Sequence, residues 1–358
     1  MRLALVLWSG LLGGAERFTA DLAVQLKRLG VLPTVVFLGS HSPLSRLLEH
    51  GRIQFECLDF PRGSGVLLQP KTFARVVSAH GPDGVILDSI GYAPIALRTS
   101  GYRERVVSVE HGSLIERGLS PRKRLVRAIT RVGGAWATDI EVAVSDFLLR
   151  TLARRTHARQ LVRIHNGVDL DEYKPRALPS RDVFTIGWAG RMVWGKGVFE
   201  LLAATAAVAK ETPVQLVLAG DGPDRAAIRR SVERLDLEQD VIFTGTVLDM
   251  SSFWAQCDAA AFPTNGLIES FGLAAVEAMA CGKPVVASRS GGLAEVVEDG
   301  RTGILVEPGD VQRIAAALRR YAHDESLRAE HGRQARADCE RRFDIKIAAR
   351  RYLALFER

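Results

Sequence analysis

The sequence predicts an α/β protein built from two doubly wound domains that face each other across a cleft. Three observations carry that prediction. The chain has 358 residues, a two-domain length. Short apolar runs alternate with helical patterns along both halves, which implies parallel sheets covered on both faces. The alternation stops at Tyr173–Asp182, a polar stretch holding Pro175 and Pro179, and then restarts, so this stretch reads as the interdomain linker. The expected division is therefore 1–172, 173–340 and a closing segment 341–358.

In the first half, Leu3–Leu7 is a continuous apolar run. The first fifteen residues superficially resemble a short signal peptide. A helix-period pattern starts directly after them, however, and a buried strand followed by a glycine turn fits better. Glu16–Leu29 is helical, with Phe18, Leu22, Leu26 and Leu29 on one face and Gly30 as its stop. Thr34–Leu38, Val85–Leu87, Val106–Val109, Ile140–Val144 and Val162–Ile164 read as further strands. In the second half, Phe184–Ala189, Val214–Ala219, Val241–Thr244, Ala259–Phe262, Pro284–Ala287 and Gly303–Val306 read as strands. Val198–Lys210 and Arg225–Leu235 read as helices between them, and Ile345–Phe356 as a final helix.

Composition narrows the class. A 47% hydrophobic content supplies two cores. Cys57, Cys257, Cys281 and Cys339 lack metal-ligand or redox spacing and read as buried thiols in a reducing compartment. No apolar run reaches the roughly eighteen residues of a membrane span, so a cytoplasmic chain is expected. The charge is uneven. Residues 1–172 hold 23 Lys+Arg against 16 Asp+Glu, a net of +7, while residues 173–358 hold 25 of each. Within the first half, residues 117–163 hold 11 basic and 3 acidic residues. That segment favours an anionic partner. In it, Ser120-Pro121 is a helix start. Leu125, Ile129 and Val132 share one face, with Lys123, Arg127 and Arg131 as a cationic stripe. Such a helix suits an anionic membrane surface, and equally an ordinary solvated face. The nearby Arg150, Arg154, Arg155 and Arg159 favour an anionic acceptor or bilayer.

Two stretches of the second half carry chemistry. Gly190-Arg191-Met-Val-Trp-Gly195-Lys196-Gly197 joins a strand to a helix. Glycines there admit close approach, and Arg191 and Lys196 can neutralise a diphosphate; a glycine-rich turn with two solvated cations is the plain alternative. Phe262-Pro-Thr-Asn-Gly-Leu-Ile-Glu269-Ser-Phe271-Gly272-Leu273-Ala-Ala-Val-Glu277 runs on into Ala-Met-Ala-Cys281-Gly-Lys-Pro-Val-Val-Ala. Glu269 and Glu277 are eight apart, a little over two helical turns, with Gly272 between them opening an apolar helix, so both carboxylates can face the same side. The helix start near Gly272 offers amides to a phosphate, and Glu277 lies deeper, within reach of a ribose.

These stretches resemble the donor-nucleotide motif of the retaining glycosyltransferases of family four (glycosyl transferases group 1). Their fold, GT-B, pairs two Rossmann-like domains. The resemblance covers essentially the whole chain. It implies that Arg191 and Lys196 stabilise the departing diphosphate, that Glu269 contacts the donor sugar, and that the amides of Phe271, Gly272 and Leu273 hold phosphate or sugar. Glu277 takes the ribose hydroxyls and the backbone near Val247, in Gly245-Thr246-Val247, meets the base. Gly13 and Gly14 resemble the family's N-terminal glycine loop, which touches the phosphate or the acceptor. His111, after the strand Val106–Val109, resembles its active-site histidine. The resemblance also implies an acceptor-binding first domain, a donor-binding second domain, and a final helix that crosses back to the first.

The reaction so implied is transfer of a sugar, with retention, from a nucleotide-diphosphate sugar to an acceptor hydroxyl in surface polysaccharide, glycolipid or natural-product biosynthesis. No metal or other cofactor is expected. Asp169-Leu-Asp171 has Asp-x-Asp spacing, but it falls at the domain boundary rather than inside a single-domain metal site. A nucleotide-sugar epimerase on the same architecture is the rival enzyme. A nucleic-acid-binding protein is the non-enzyme rival, and no nucleic-acid motif supports it.

Overall fold

The computed structural model describes residues 1–8, 13–39, 44–60, 65–88, 91–112, 132–154, 156–176, 182–265 and 269–357. The basic helix expected over Ser120–Val132 lies outside them except for Val132, as does Arg155. The chain forms two compact units. One is Met1–Gly167 with Ile345–Arg358, the other Val168–Asp344.

The first unit is a seven-stranded parallel sheet of β1 (Arg2–Leu7), β2 (Leu32–Phe37), β3 (Gln54–Cys57), β4 (Gly84–Asp88), β5 (Arg105–Glu110), β6 (Ile140–Ala143) and β7 (Gln160–Arg163). Their order is β3-β2-β1-β4-β5-β6-β7. Succession along the sheet reverses between β1 and β4, where Leu5 is flanked by Val35 on one side and Ile86 on the other. Leu3 to Leu7 are all buried, because helices cover both faces. β3 has no apolar run: Gln-Phe-Glu-Cys sits at the sheet edge, exposed or half-buried throughout, and so escapes a search for buried strands.

Helix Gly14–Arg28 buries Phe18, Leu22 and Leu26. Leu29 does not join that face; it is the C-cap, and 39% exposed. Helix Ile345–Ala354 packs against helix Gly14–Arg28, with Tyr352 and Phe18 ring centroids 6.1 Å apart. Beyond it, Phe356 fills the space beside Gly84, where a Cβ would lie 2.4 Å from the ring. The Arg105 guanidinium donates to the Leu355 carbonyl.

The second unit is a six-stranded parallel sheet of β8 (Phe184–Ala189), β9 (Val214–Ala219), β10 (Val241–Gly245), β11 (Ala259–Phe262), β12 (Val285–Ser288) and β13 (Gly303–Val306). The order is β10-β9-β8-β11-β12-β13, reversing between β8 and β11. Tyr173 does not behave as linker. It is 1% exposed inside this unit, and Arg336 donates to its carbonyl (2.5 Å) and to that of Ala280 (2.8 Å). A buried aromatic and a shared guanidinium anchor the start of the polar stretch.

Cys257, Cys281 and Cys339 are buried thiols, and Cys57, on the edge strand, is only partly buried. Among the described residues no helix is long and apolar enough to cross a membrane.

Candidate functional site

In a doubly wound sheet, ligand-binding loops gather beyond the carboxyl ends of the strands at the point where the strand order reverses. In the second unit that point lies between β8 and β11. The loop leaving β8, Gly190 to Gly197, meets the loop leaving β11. Gly197 has a left-handed backbone (φ 79°), and a Cβ there would lie 1.8 Å from the Pro263 carbonyl oxygen. No other residue fits. Asn265 N–H donates to the Gly195 carbonyl (2.9 Å), and its side chain donates to Glu200 (2.6 Å). Towards β9 the same loop is tied by Met192 N–H to the Asp221 carbonyl (2.9 Å) and by Trp194 N–H to the Asp224 carboxylate.

This anchored loop presents two cations. Arg191 is exposed. The Lys196 ammonium donates to the Glu269 carboxylate, each side chain being 24% exposed. Residues seventy-three apart in sequence are thus in contact. Glu269 is not on the helix that holds Glu277. Gly272, at φ 96°, is the N-cap and turns the chain, so the helix runs from Leu273 to Ala280 and Glu269 stands in the loop before it. No side chain caps this helix start, so the partial positive charge of its first amides is not met by a capping group.

Phe271 (4% exposed) packs edge-on against Phe343, and Gly292 N–H donates to the Glu269 carbonyl (2.8 Å). These contacts hold the 269–273 turn from behind. Glu277 is buried (7% exposed) and accepts from the Trp254 indole at 3.3 Å. Val247 follows β10 and is half-buried. Its loop is joined to the one after β9 by Gly220 N–H donating to the Gly245 carbonyl (2.7 Å).

At the carboxyl edge of the first unit, the described residues include a cluster of buried side chains. His111 follows β5, with its side chain 8% exposed. Its Nε2 lies 3.5 Å from an Asp88 oxygen at the end of β4, and its Nδ1 lies 3.3 Å from the Asn166 amide nitrogen. The other Asp88 oxygen accepts from Thr19 Oγ1 at 2.9 Å. Burial pushes the His111 pKa down to about 4, against the opposite pull of Glu16. The imidazole is therefore neutral at pH 7. Gly13 caps helix Gly14–Arg28, and the Glu16 side chain folds back over it. Gly14 is exposed.

The sequence reading missed Asp88, Thr19 and Trp254 as neighbours of the candidate site. Asp88 carried a signal, being an acid that closes an apolar strand at its carboxyl end. Thr19 lies inside an ordinary helical pattern, Trp254 lies in a stretch the sequence assigns to no element, and neither carried a signal. Asp169 accepts from the Asp171 amide (2.9 Å), a local turn. Among the described residues no cluster of three metal-ligating side chains includes either.

Two doubly wound parallel sheets, of seven and six strands, are the architecture of the GT-B class. The comparisons specify the family. A family model described as glycosyl transferases group 1 matches residues 171–338, and one described as Glycosyltransferase Family 4 matches residues 12–172. A GDP-mannose-dependent α-(1-6)-phosphatidylinositol monomannoside mannosyltransferase of Mycolicibacterium smegmatis is 30% identical over 267 residues, 68% of each chain. The chain belongs to glycosyltransferase family 4.

An N-acetyl-α-D-glucosaminyl L-malate synthase of Bacillus anthracis is 33% identical over 161 residues. That match covers 45% of this chain and less than half (42%) of the relative's length. Among solved structures, Anabaena HepE in complex with UDP and glucose superposes with a TM-score of 0.83 at 27% identity, over 99% of both chains.

Proposed function

We propose that this chain is a retaining, metal-independent glycosyltransferase that moves a sugar from a nucleoside-diphosphate sugar to an acceptor hydroxyl. The observation that carries this is the Lys196–Glu269 contact beside the uncapped helix start at Gly272. An ammonium, an exposed guanidinium on the same loop and a helix N-terminus form an anion site. A diphosphate would draw Lys196 away from Glu269 and leave that carboxylate for sugar hydroxyls. Negative charge grows on the diphosphate as the glycosidic bond breaks. Arg191, Lys196 and the amides of Phe271, Gly272 and Leu273 meet that charge, so no metal is required. The acceptor attacks from the face the diphosphate leaves, which retains configuration, and the departing phosphate takes the acceptor proton. Glu277 holds the ribose and the backbone near Val247 the base.

In this reading the second unit takes the donor and the first takes the acceptor. Neutral His111 lies beside the transferred sugar as a hydrogen-bonding group, not a cation, and Gly13 and Gly14 approach the donor phosphate or the acceptor. The likeness to HepE, described with UDP and glucose, and to a GDP-mannose-dependent enzyme supports a nucleotide-sugar donor. The setting is assembly of surface polysaccharide, glycolipid or natural product, at the inner face of the membrane. Residues 117–163, with 11 basic and 3 acidic side chains, meet an anionic acceptor or bilayer.

A thermal-shift screen against UDP-, GDP-, ADP- and dTDP-sugars tests the reading. The matching donor raises the melting temperature, and turnover with an acceptor releases free nucleoside diphosphate. A changed sugar nucleotide with no free nucleotide would identify an epimerase instead. No shift with any of the four would overturn the reading.

A further inference from the structure

We infer that Trp254 is a positioning residue for the donor ribose, acting through Glu277; this rests on the nucleotide reading of Glu277 given above. Trp254, on helix Met250–Ala255, is 0% exposed. Its ring packs edge-on against Phe253 (centroids 4.7 Å apart) and Phe262 (5.9 Å). It also lies over β8, where Gly187 leaves it room: a Cβ there would sit 2.8 Å from the indole. Phenylalanine would supply most of this packing. What tryptophan adds is one polar atom, the indole N–H, and that atom must find an acceptor in an apolar setting. It donates to Glu277 Oε2 at 3.3 Å.

The acceptor is itself a buried carboxylate, on the second turn of helix Leu273–Ala280. A glutamate has three side-chain torsions to order, and an unheld one pays that entropy when ligand binds. The indole fixes one carboxylate oxygen from inside the unit. The indole thus helps to orient the carboxylate before a ribose arrives, as a preorganised site requires. The helix carrying Trp254 is itself fixed at its start, where the Asp249 carboxylate accepts from Ser252 N–H (2.9 Å). Trp254 therefore serves nucleotide selection through Glu277.

Calorimetric titration with UDP and 2′-deoxy-UDP, and with GDP and 2′-deoxy-GDP, tests this in wild type, Trp254→Phe, Glu277→Gln and the double variant. The wild type is expected to favour the ribose form of its nucleotide by about tenfold, the scale of one hydrogen bond to a charged group. Trp254→Phe should cut that preference to about twofold while leaving affinity for the deoxy form within about twofold. It should change nothing further in the Glu277→Gln background. Equal weakening of both forms by Trp254→Phe would show that the indole only packs, and would overturn the inference. A ribose preference that survives Glu277→Gln would instead sink the reading of Glu277, whatever Trp254 does. Failure of both nucleotide pairs to bind the wild type would overturn both. If Trp254→Phe does not fold, 3-benzothienylalanine at position 254 keeps the ring shape without the N–H, with the same expected and overturning results.

Discussion

The two units share a parallel doubly wound sheet and equip its carboxyl edge in different ways. In the second unit the edge is built from backbone. Gly197 lies against the Pro263 carbonyl with no room for a Cβ, Asn265 and Gly195 are joined through main-chain atoms, and an uncapped helix start follows Gly272. Among the described residues of the first unit, the edge brings buried side chains together, with Thr19, Asp88, His111 and Asn166 linked across segments far apart in sequence, and Gly134 lies close against the Gly91 carbonyl. Its Gly13 meets only the flexible end of Glu16. Main-chain amides recognise phosphate whatever sugar it carries. A lattice of side chains suits a partner that varies from one protein to the next. Among the described residues, then, the proposed donor half relies mainly on close backbone approach, and the proposed acceptor half adds a cluster of buried side chains.

The strongest way to break this contrast is Lys196→Ala. Turnover should fall about a thousandfold, the scale of losing one group that stabilises developing charge, with an unchanged circular dichroism spectrum and melting curve. Near wild-type turnover would remove Lys196 from the chemistry.

Gly197→Ala comes next. A methyl group 1.8 Å from a carbonyl oxygen, on a left-handed residue, should cost about 3 kcal/mol in denaturant unfolding. Gly13→Ala should cost less than about 1 kcal/mol, because Glu16 can swing aside. Similar costs at both positions would erase the distinction between the two edges.

The third effect is one of pH. His111 has a folded pKa of about 4 against an ordinary 6.5. Above pH 6.5 it is neutral folded and unfolded, so its environment contributes fully. Between pH 6.5 and 4 the unfolded chain binds a proton that the folded one refuses, and stability falls by on the order of 3 kcal/mol before levelling off. His331, also shifted down by burial, acts in the same direction. His111→Asn should flatten the stability–pH curve across that window, and an unaltered slope would place the acid sensitivity elsewhere. The smallest expected effect is that of EDTA, which should leave turnover unchanged. Full loss of turnover would return attention to Asp169 and Asp171.

Much of this was legible beforehand because the second unit obeys local rules. All its strands follow from apolar runs, and the Gly190–Gly197 and Glu269–Glu277 stretches stand out because a backbone site demands glycine at fixed places. β3 was missed because an edge strand needs no apolar run, and the first-unit cluster because nothing local links Thr19 to Asp88.

The two doubly wound units, their strands apart from β3, the glycine loop and the glutamate turn are readable from the amino-acid order alone. These depend on side-chain period and on backbone conformations that few residues adopt. Tertiary packing alone brings Lys196 to Glu269, Trp254 to Glu277, and Asp88 and Asn166 to either side of a neutral His111. Those facts arise from packing between segments tens of residues apart. Burial there fixes hydrogen-bond partners and shifts a pKa, and no local pattern records either.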